Sequence, residues 1–560
     1  MTTRAEEEFA RALGGSEGPR PDGGEGPRPG GGEGPRLAEP VTLTGSRLDD
    51  SWQRWMANPA ARRAWDWGAP AAVIAVAAAL RLVGLDHPQQ IVFDETYYVK
   101  DAYTLAHLGY ESRWPDGANA AFAAGDPDGY TTEPSFVVHP PLGKWIIAAG
   151  MALFGTDSAF GWRFGIALVG ILLVAVTMLV ARQLFRSTTL VVVAGGLMAI
   201  DGNAIVMSRV SLLDSAVALF ALLGASFVLF DRGWAKRRLA RWLEARRASG
   251  HGVDWGPALW WRPWLLAAAV AFGAATGVKW NGVYFLAVFG VYTVVSDALL
   301  RRQAGIEFWG FGALLKQAPI NALLLVPLAA AVFLTTWIGW FASDNGYYRH
   351  WIEQGGGEAW TGALAWVPTA AQNWWHYQTA IYSYHVGLQV PHNYQANPLT
   401  WLFLVRPTSM YYDNAGDGTA AAILDIANPL IWWGGTAALV FLAVRVVLGL
   451  LRRRSVWRDA FILTGIAAGY LPWLLYLNRT VFQFYTIAFE AFLVLALTSA
   501  LAAIAGSRDD PEPRRTAGLA TVGAYLGLVV LVSLFFLPMW TGMPMPLWFL
   551  QAHYWLRSWI

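Results

Sequence analysis

The sequence predicts an all-α, polytopic membrane protein with about eleven transmembrane helices, and three observations carry that reading. Apolar runs long enough to cross a hydrocarbon core of roughly 30 Å recur along the chain. Charged residues fill only 14% of the 560 positions, against about a quarter in a soluble domain. Basic residues cluster in alternate loops, the pattern that orients a chain across a bilayer. The 31 tryptophans fit aromatic belts at the two interfaces.

The chain opens on a polar stretch, residues 1–50. Within it "EGPRPDGG", "EGPRPGGG" and "EGPRLAEP" start at Glu17, Glu25 and Glu33. An eight-residue repeat of Gly, Pro and charge cannot build a core, so a disordered cytoplasmic tail is expected, without a cleavable signal peptide. The expected crossings are 69–85, 159–181, 188–204, 212–230, 264–280, 282–300, 320–342, 430–450, 459–477, 481–505 and 516–538. They define an N-terminal membrane module (69–342) with a long first outer loop (86–158). A large outer loop (343–429), a C-terminal membrane module (430–540) and a final segment (541–560) read as an interfacial helix follow.

Arginines set the orientation. Arg182 and Arg186, "DRGWAKRRLARWLEARR" (231–247), Arg301, Arg302 and Lys316, "RRRSVWR" (452–458), and Arg508, Arg514 and Arg515 all fall on one side of this arrangement. That side is the cytoplasm, which leaves the N-terminus inside and the C-terminus outside. The absence of cysteine excludes disulfides, thiol nucleophiles and cysteine metal sites. No Walker, dinucleotide or zincin motif is present, which disfavours nucleotide-sugar chemistry at the cytoplasmic face.

Ionisable residues near bilayer depth are functional candidates, and on this topology they gather at the outer face. Asp94 and Glu95 lie in "VFDETYYVKDAYTL" (92–105), and His139 and Lys144 in "HPPLGKW" (139–145). Arg163 begins the second crossing. Arg209 and Asp214 lie in "SRVSLLDS" (208–215), Lys279 and Asn281 in "GVKWNG" (277–282), and Arg479 in "YLNRTVFQFY" (476–485). Each has a plainer reading. Lys144, Arg163 and Arg479 could be lone snorkelling side chains. Arg209 with Asp214 could be a structural pair at a hairpin tip, the reading favoured for Asp214. His139 could be a loop residue before two prolines. Asp94 could cap a helix beginning at Glu95, although capping explains one acid and not the second. Taken as a set, cations and paired acids beside lipid suit a lipid phosphate and an acceptor hydroxyl: cations for the phosphate, carboxylates as general base and positioning group.

Those motifs, in that order and spacing, resemble the protein O-mannosyltransferase family, membrane glycosyltransferases of the GT-C class. The resemblance spans roughly residues 69–505 and extends to "YHVGLQVPHNYQANP" (384–398); "NRTVFQFY" resembles the actinobacterial branch. It implies a GT-C fold and a polyprenyl-phosphate-mannose donor. The implied acceptors are Ser or Thr hydroxyls of unfolded secreted proteins, met at the Sec translocon on the outer face of the plasma membrane. The implied product is an α-linked mannose formed with inversion. Asp94 matches the family's catalytic acid and Glu95 its neighbour, expected to orient the acceptor. Arg163 and Lys279 match functional cations, and His139, Lys144, Arg209, Asn281 and Arg479 complete the expected substrate-binding set. No cofactor is obligatory, no metal ligands are assigned, and no nucleic acid is involved; Mg or Mn near Asp94 and Glu95 would suit oxygen ligation. Unlike eukaryotic members, this chain has no β-trefoil in its 343–429 loop. A related transferase acting on a lipid or glycan is the alternative. A transporter would need midplane charges in inverted repeats, and the sequence shows neither.

Overall fold

The computed structural model describes residues 45–560. The expected disorder of residues 1–44 lies outside the described residues, but the boundary at residue 50 falls too late. Helix α1 spans Arg47–Met56, with Ser46 as N-cap accepting from the Asp49 amide. Asp49 in turn accepts from Arg515 Nε and Nη2 at 2.9 and 2.8 Å, tying this segment to the first turn of the helix Glu512–Thr541.

All eleven apolar stretches contain helix. They are α2 (Ala69–Leu82), α5 (Ala159–Phe185), the pair α6 and α7 (Thr188–Ile200, Gly202–Arg209), α8 (Asp214–Ala248), α9 (Pro263–Val278), α10 (Gly282–Gln303), α11 (Ala318–Thr336), α13 (Pro429–Leu451), α14 (Trp457–Tyr470), α15 (Ile487–Ala505) and α16 (Glu512–Thr541). Among the described residues, seven helices are long and apolar enough to span a membrane by themselves, and α6–α7, bent by 57°, makes an eighth. The eleven expected from hydropathy therefore include three, α2, α9 and α14, that are only 14, 16 and 14 residues long. The bend has a local cause. Asp201 is extended, and its carboxylate accepts from the Asn203 amide, so one helix stops and the next is capped.

Burial separates the interior from the lipid face. In α8 and in the helix containing α15, 78% of the apolar window is buried; in α13 and α16 only 22% and 17% is. Helices apolar all round but uncovered by protein are those expected to meet lipid. The first outer loop contributes α3 (Glu95–Leu108) and the apolar α4 (Leu142–Phe154). Helix α4 lies close on α5: a Cβ at Gly150 would sit 2.6 Å from the Gly161 carbonyl, a small-residue contact of the kind membrane helices use.

The 343–429 segment is not all-α. Besides α12 (Thr369–Gly387) it holds β1 (Thr408–Asn414) and β2 (Thr419–Asp425), an antiparallel hairpin whose turn uses Gly416 and Gly418 at φ 78° and 91°, conformations glycine adopts freely. A third strand, β3 (Met545–Pro546), pairs with β2 from the far end of the chain. The expected C-terminal interfacial helix is correspondingly short. Only α17 (Leu547–Ala552) and a single 3₁₀ turn form; His553 and Trp559 are buried, and the Trp559 indole donates to Leu404 O at 2.6 Å.

Candidate active site

A cavity of about 360 Å3 opens at one end of the helix bundle. Lys279 and Asn281 enter it from the break between α9 and α10, His385 from α12, and Arg479 and Tyr485 from the segment joining α14 to α15. His139 comes from the end of the first outer loop.

Lys279 closes α9 in an extended conformation. Its ammonium donates to Asp214 at 2.7 Å, with both side chains buried. It also lies 5.2 Å from the Tyr485 ring centre and 5.8 Å from that of Tyr98, faces that attract a cation. One N–H serves Asp214 and two are left for a ligand.

Arg479 lies over Trp473 at 5.5 Å and donates from Nη2 to His385 Nδ1 at 2.9 Å. His385 Nε2 donates to Val138 O at 2.8 Å, which sets the tautomer. Burial, reinforced by Arg479, pushes His385 down to about 4. His139 stacks on it at 5.1 Å, and burial, then Lys279, hold it well below the usual histidine range. Both imidazoles are therefore neutral at physiological pH, and the positive charge of the cavity belongs to Lys279 and Arg479. Trp280 Nε1, Asn281 Oδ1 and Arg479 Nε are buried without a hydrogen-bond partner. Unsatisfied polar atoms on a cavity wall are what a polar ligand would satisfy.

Asp94 precedes α3 and is within electrostatic reach of two cavity residues. Its side chain makes no capping hydrogen bond, so the cap reading does not describe this fold. Phe93, immediately before it, has φ 45°, a strained conformation for a residue with a Cβ. Burial pushes the Asp94 carboxyl up to about 6; Lys279 works against that rise and Asp214 adds to it. The result is a carboxylate that is ionised at neutral pH yet more basic than usual, the condition suited to a general base.

Four of the expected site residues, Glu95, Arg163, Arg209 and Lys144, have their charged groups taken up by protein partners. Glu95 is fully buried: Oε1 accepts from Arg163 Nε at 2.8 Å and Ser211 N at 2.9 Å, and Oε2 from Arg163 Nη2 and Val92 N, both at 3.0 Å. It is not free to orient an acceptor. Arg163 spends its other donors on the carbonyls of Leu85, Pro88 and Gln90, so it pins the start of the 86–158 loop and has no N–H left for a ligand in this conformation. Arg209 donates to the carbonyls of Leu80, Arg81, Val83 and Gly84; it does not pair with Asp214, whose partner is Lys279. Lys144 is buried between Glu111, in close contact, and Asp101 at 3.7 Å. Neither Lys144 nor Arg163 snorkels, each being 1% exposed.

A divalent ion shared by Asp94 and Glu95 does not fit this donor set, because all of Glu95's accepting capacity faces Arg163 and backbone amides. Among the described residues no group of three or more His, Asp or Glu side chains is arranged to hold a metal. Asp214 and His385 are the site residues that the sequence reading missed. The motif "SRVSLLDS" suggests a pair of Asp214 with Arg209, and "YHVGLQ" gives no sign that His385 faces Arg479.

Comparison with known proteins covers the same region. A family model described as dolichyl-phosphate-mannose-protein mannosyltransferase matches residues 71–248. A second, the C-terminal four-transmembrane region of protein O-mannosyltransferase, matches residues 370–559. The polyprenol-phosphate-mannose–protein mannosyltransferase of Mycolicibacterium smegmatis is 32% identical over 513 residues, covering 89% of this chain and 93% of that one. The Corynebacterium glutamicum protein of the same name is 30% identical, covering 84% and 88%. Among solved structures, the Saccharomyces cerevisiae protein O-mannosyltransferase Pmt1-Pmt2 complex bound to the sugar donor has the same fold. Its TM-score is 0.65 at 15% identity, over 93% of this chain and 96% of the yeast one.

Proposed function

Because this chain belongs to the protein O-mannosyltransferase family, we propose that it transfers mannose from polyprenyl-phosphate-mannose to Ser or Thr hydroxyls of secreted proteins at the outer face of the plasma membrane. Lys279 and Arg479 bind the donor phosphate, with Asn281 and the Trp280 indole as further polar contacts. The aromatic wall takes the sugar and the head of the lipid. Asp94 accepts the proton of the acceptor hydroxyl as its oxygen attacks the anomeric carbon. The bond from that carbon to the phosphate oxygen breaks on the opposite face, which inverts the centre and gives an α-linked mannose from a β-linked donor. Polyprenyl phosphate leaves with the electron pair, its charge held by the two cations. The leaving group is good enough that the reaction is proposed to run without a divalent ion at the acid pair.

The single observation that carries this reading is the cavity that brings Lys279, held by Asp214 at 2.7 Å, together with Arg479, within the electrostatic field of an Asp94 carboxylate that forms no ion pair among the described residues. The test is purified protein with polyprenyl-phosphate [14C]mannose and a Thr/Ser/Pro-rich peptide. Label should pass to the peptide, and Asp94→Asn should stop the transfer. Label passing to a lipid or glycan while the peptide stays blank would favour the alternative acceptor class.

A further inference from the structure

A second cavity, of about 750 Å3, lies at the opposite end of the bundle, on the membrane face that carries the arginine-rich loops. Two features distinguish it from an ordinary groove between helices. Its mouth is ringed by Arg232, Arg302, Arg453 and Arg454, and no carboxylate lines it. Arg453 and Arg454 are exposed and, among the described residues, make no ion pair. Arg232 is fixed by lying over the Trp457 ring at 4.1 Å, and Arg302 lies over Trp309 at 5.4 Å.

The second feature is the wall. Val291, Val295 and Leu299, one face of α10, are 64%, 50% and 42% exposed and run back along the helix away from Arg302. Beside them the Ser296 hydroxyl is buried and has no hydrogen-bond partner. Ordinary positive-inside charge requires arginines in the loop but neither an apolar slot below them nor an unsatisfied hydroxyl within it.

We propose that this groove binds one anionic phospholipid of the cytoplasmic leaflet, its phosphate among Arg302, Arg453 and Arg454 and one acyl chain along Val291, Val295 and Leu299. Charge complementarity selects an anionic head over a zwitterionic one, since a phosphatidylcholine would bring a cation of its own to a mouth with no acid to receive it. The apolar wall selects a lipid over a free anion. The site stands apart from the outer cavity and does not depend on the reaction proposed there.

The experiment is native mass spectrometry of the full-length protein in detergent, titrated separately with dioleoyl-phosphatidylglycerol, dioleoyl-phosphatidylcholine and inorganic phosphate. Wild type should retain phosphatidylglycerol on the order of tenfold more tightly than phosphatidylcholine, and Arg453→Gln with Arg454→Gln should remove that preference. Val295→Trp fills the slot and leaves every charge in place; it should weaken phosphatidylglycerol binding and leave any phosphate binding unchanged. All three positions are exposed, so thermal stability should not move. Equal retention of the two lipids by wild type, or full retention by the double arginine variant, would overturn the site. A silent Val295→Trp would reduce it to a charged surface without a lipid slot.

Discussion

Asp94→Asn separates the proton acceptor from every structural role the residue could have. The side chain caps no helix and forms no ion pair, so the amide replaces nothing that holds the fold. Its loss should remove general-base catalysis, about 10²–10⁴-fold in turnover, which is about 3–5 kcal/mol of barrier. The pH profile is the sharper observable. With the carboxyl at about 6, roughly nine-tenths is ionised at pH 7 and one-tenth at pH 5, so wild-type turnover should fall about tenfold over that interval. The sign for stability is opposite. The folded value lies above that of an unfolded Asp, 3.8, so protonation favours the fold, and this contribution is present at low pH and lost as pH rises through about 6. Asp94→Asn should therefore be as stable as wild type at pH 7, or slightly more so. The assay is initial-rate mannosyl transfer to a saturating peptide from pH 4.5 to 8, with thermal unfolding in detergent alongside. Near-normal turnover with an unchanged acid limb would refute the assignment. A large loss of stability would show that Asp94 supports the fold and would refute the assignment as well.

Lys279→Ala should do two things at once, weakening donor binding and leaving Asp214 buried without its cation, at a cost of about 3–5 kcal/mol. The pair Lys279→Met with Asp214→Asn should recover the stability but not the affinity for donor; recovery of both would move the phosphate site elsewhere. Arg163→Ala should impair folding before it impairs binding, because it strands Glu95 and frees three carbonyls of the loop. A well-folded Arg163→Ala protein with only weakened donor affinity would return that arginine to the substrate. Chelation with EDTA should leave transfer unchanged; activity that is lost and then restored by Mg or Mn would place an ion at the site. The chain has no cysteine, so Asp116→Cys and Ala248→Cys, both exposed, can be labelled singly in whole cells. An impermeant thiol reagent should reach the first and not the second, and reversed labelling would overturn the outer-face assignment.

The helices were legible because bilayer crossing leaves a signal in single residues: apolar runs, and arginines that collect on one side. The hairpin β1–β2 was not, because β2, "TAAAILD", is buried along nearly its whole length and shows no alternation, and its second partner comes from residues 545–546. The site divided along a similar line. Sequence identifies a charge near bilayer depth but not what occupies its partner atoms, and that occupancy separates a ligand from a strut. Arg163 and Lys279 both read as functional cations. Arg163 proves to have Glu95 and three carbonyls around its guanidinium, so binding a phosphate would mean breaking contacts already made. Lys279 has one carboxylate and two ring faces, so an anion can be added without removing anything. The same test sorts the acids. Glu95 is saturated by four donors and braces the loop so that its neighbour need not. Asp94, carried on the strained turn beside it, makes no capping hydrogen bond and, among the described residues, no ion pair. The adjacent acids are thus not a redundant pair: one fixes the backbone, and the other is left without partners, as the proposed proton transfer requires.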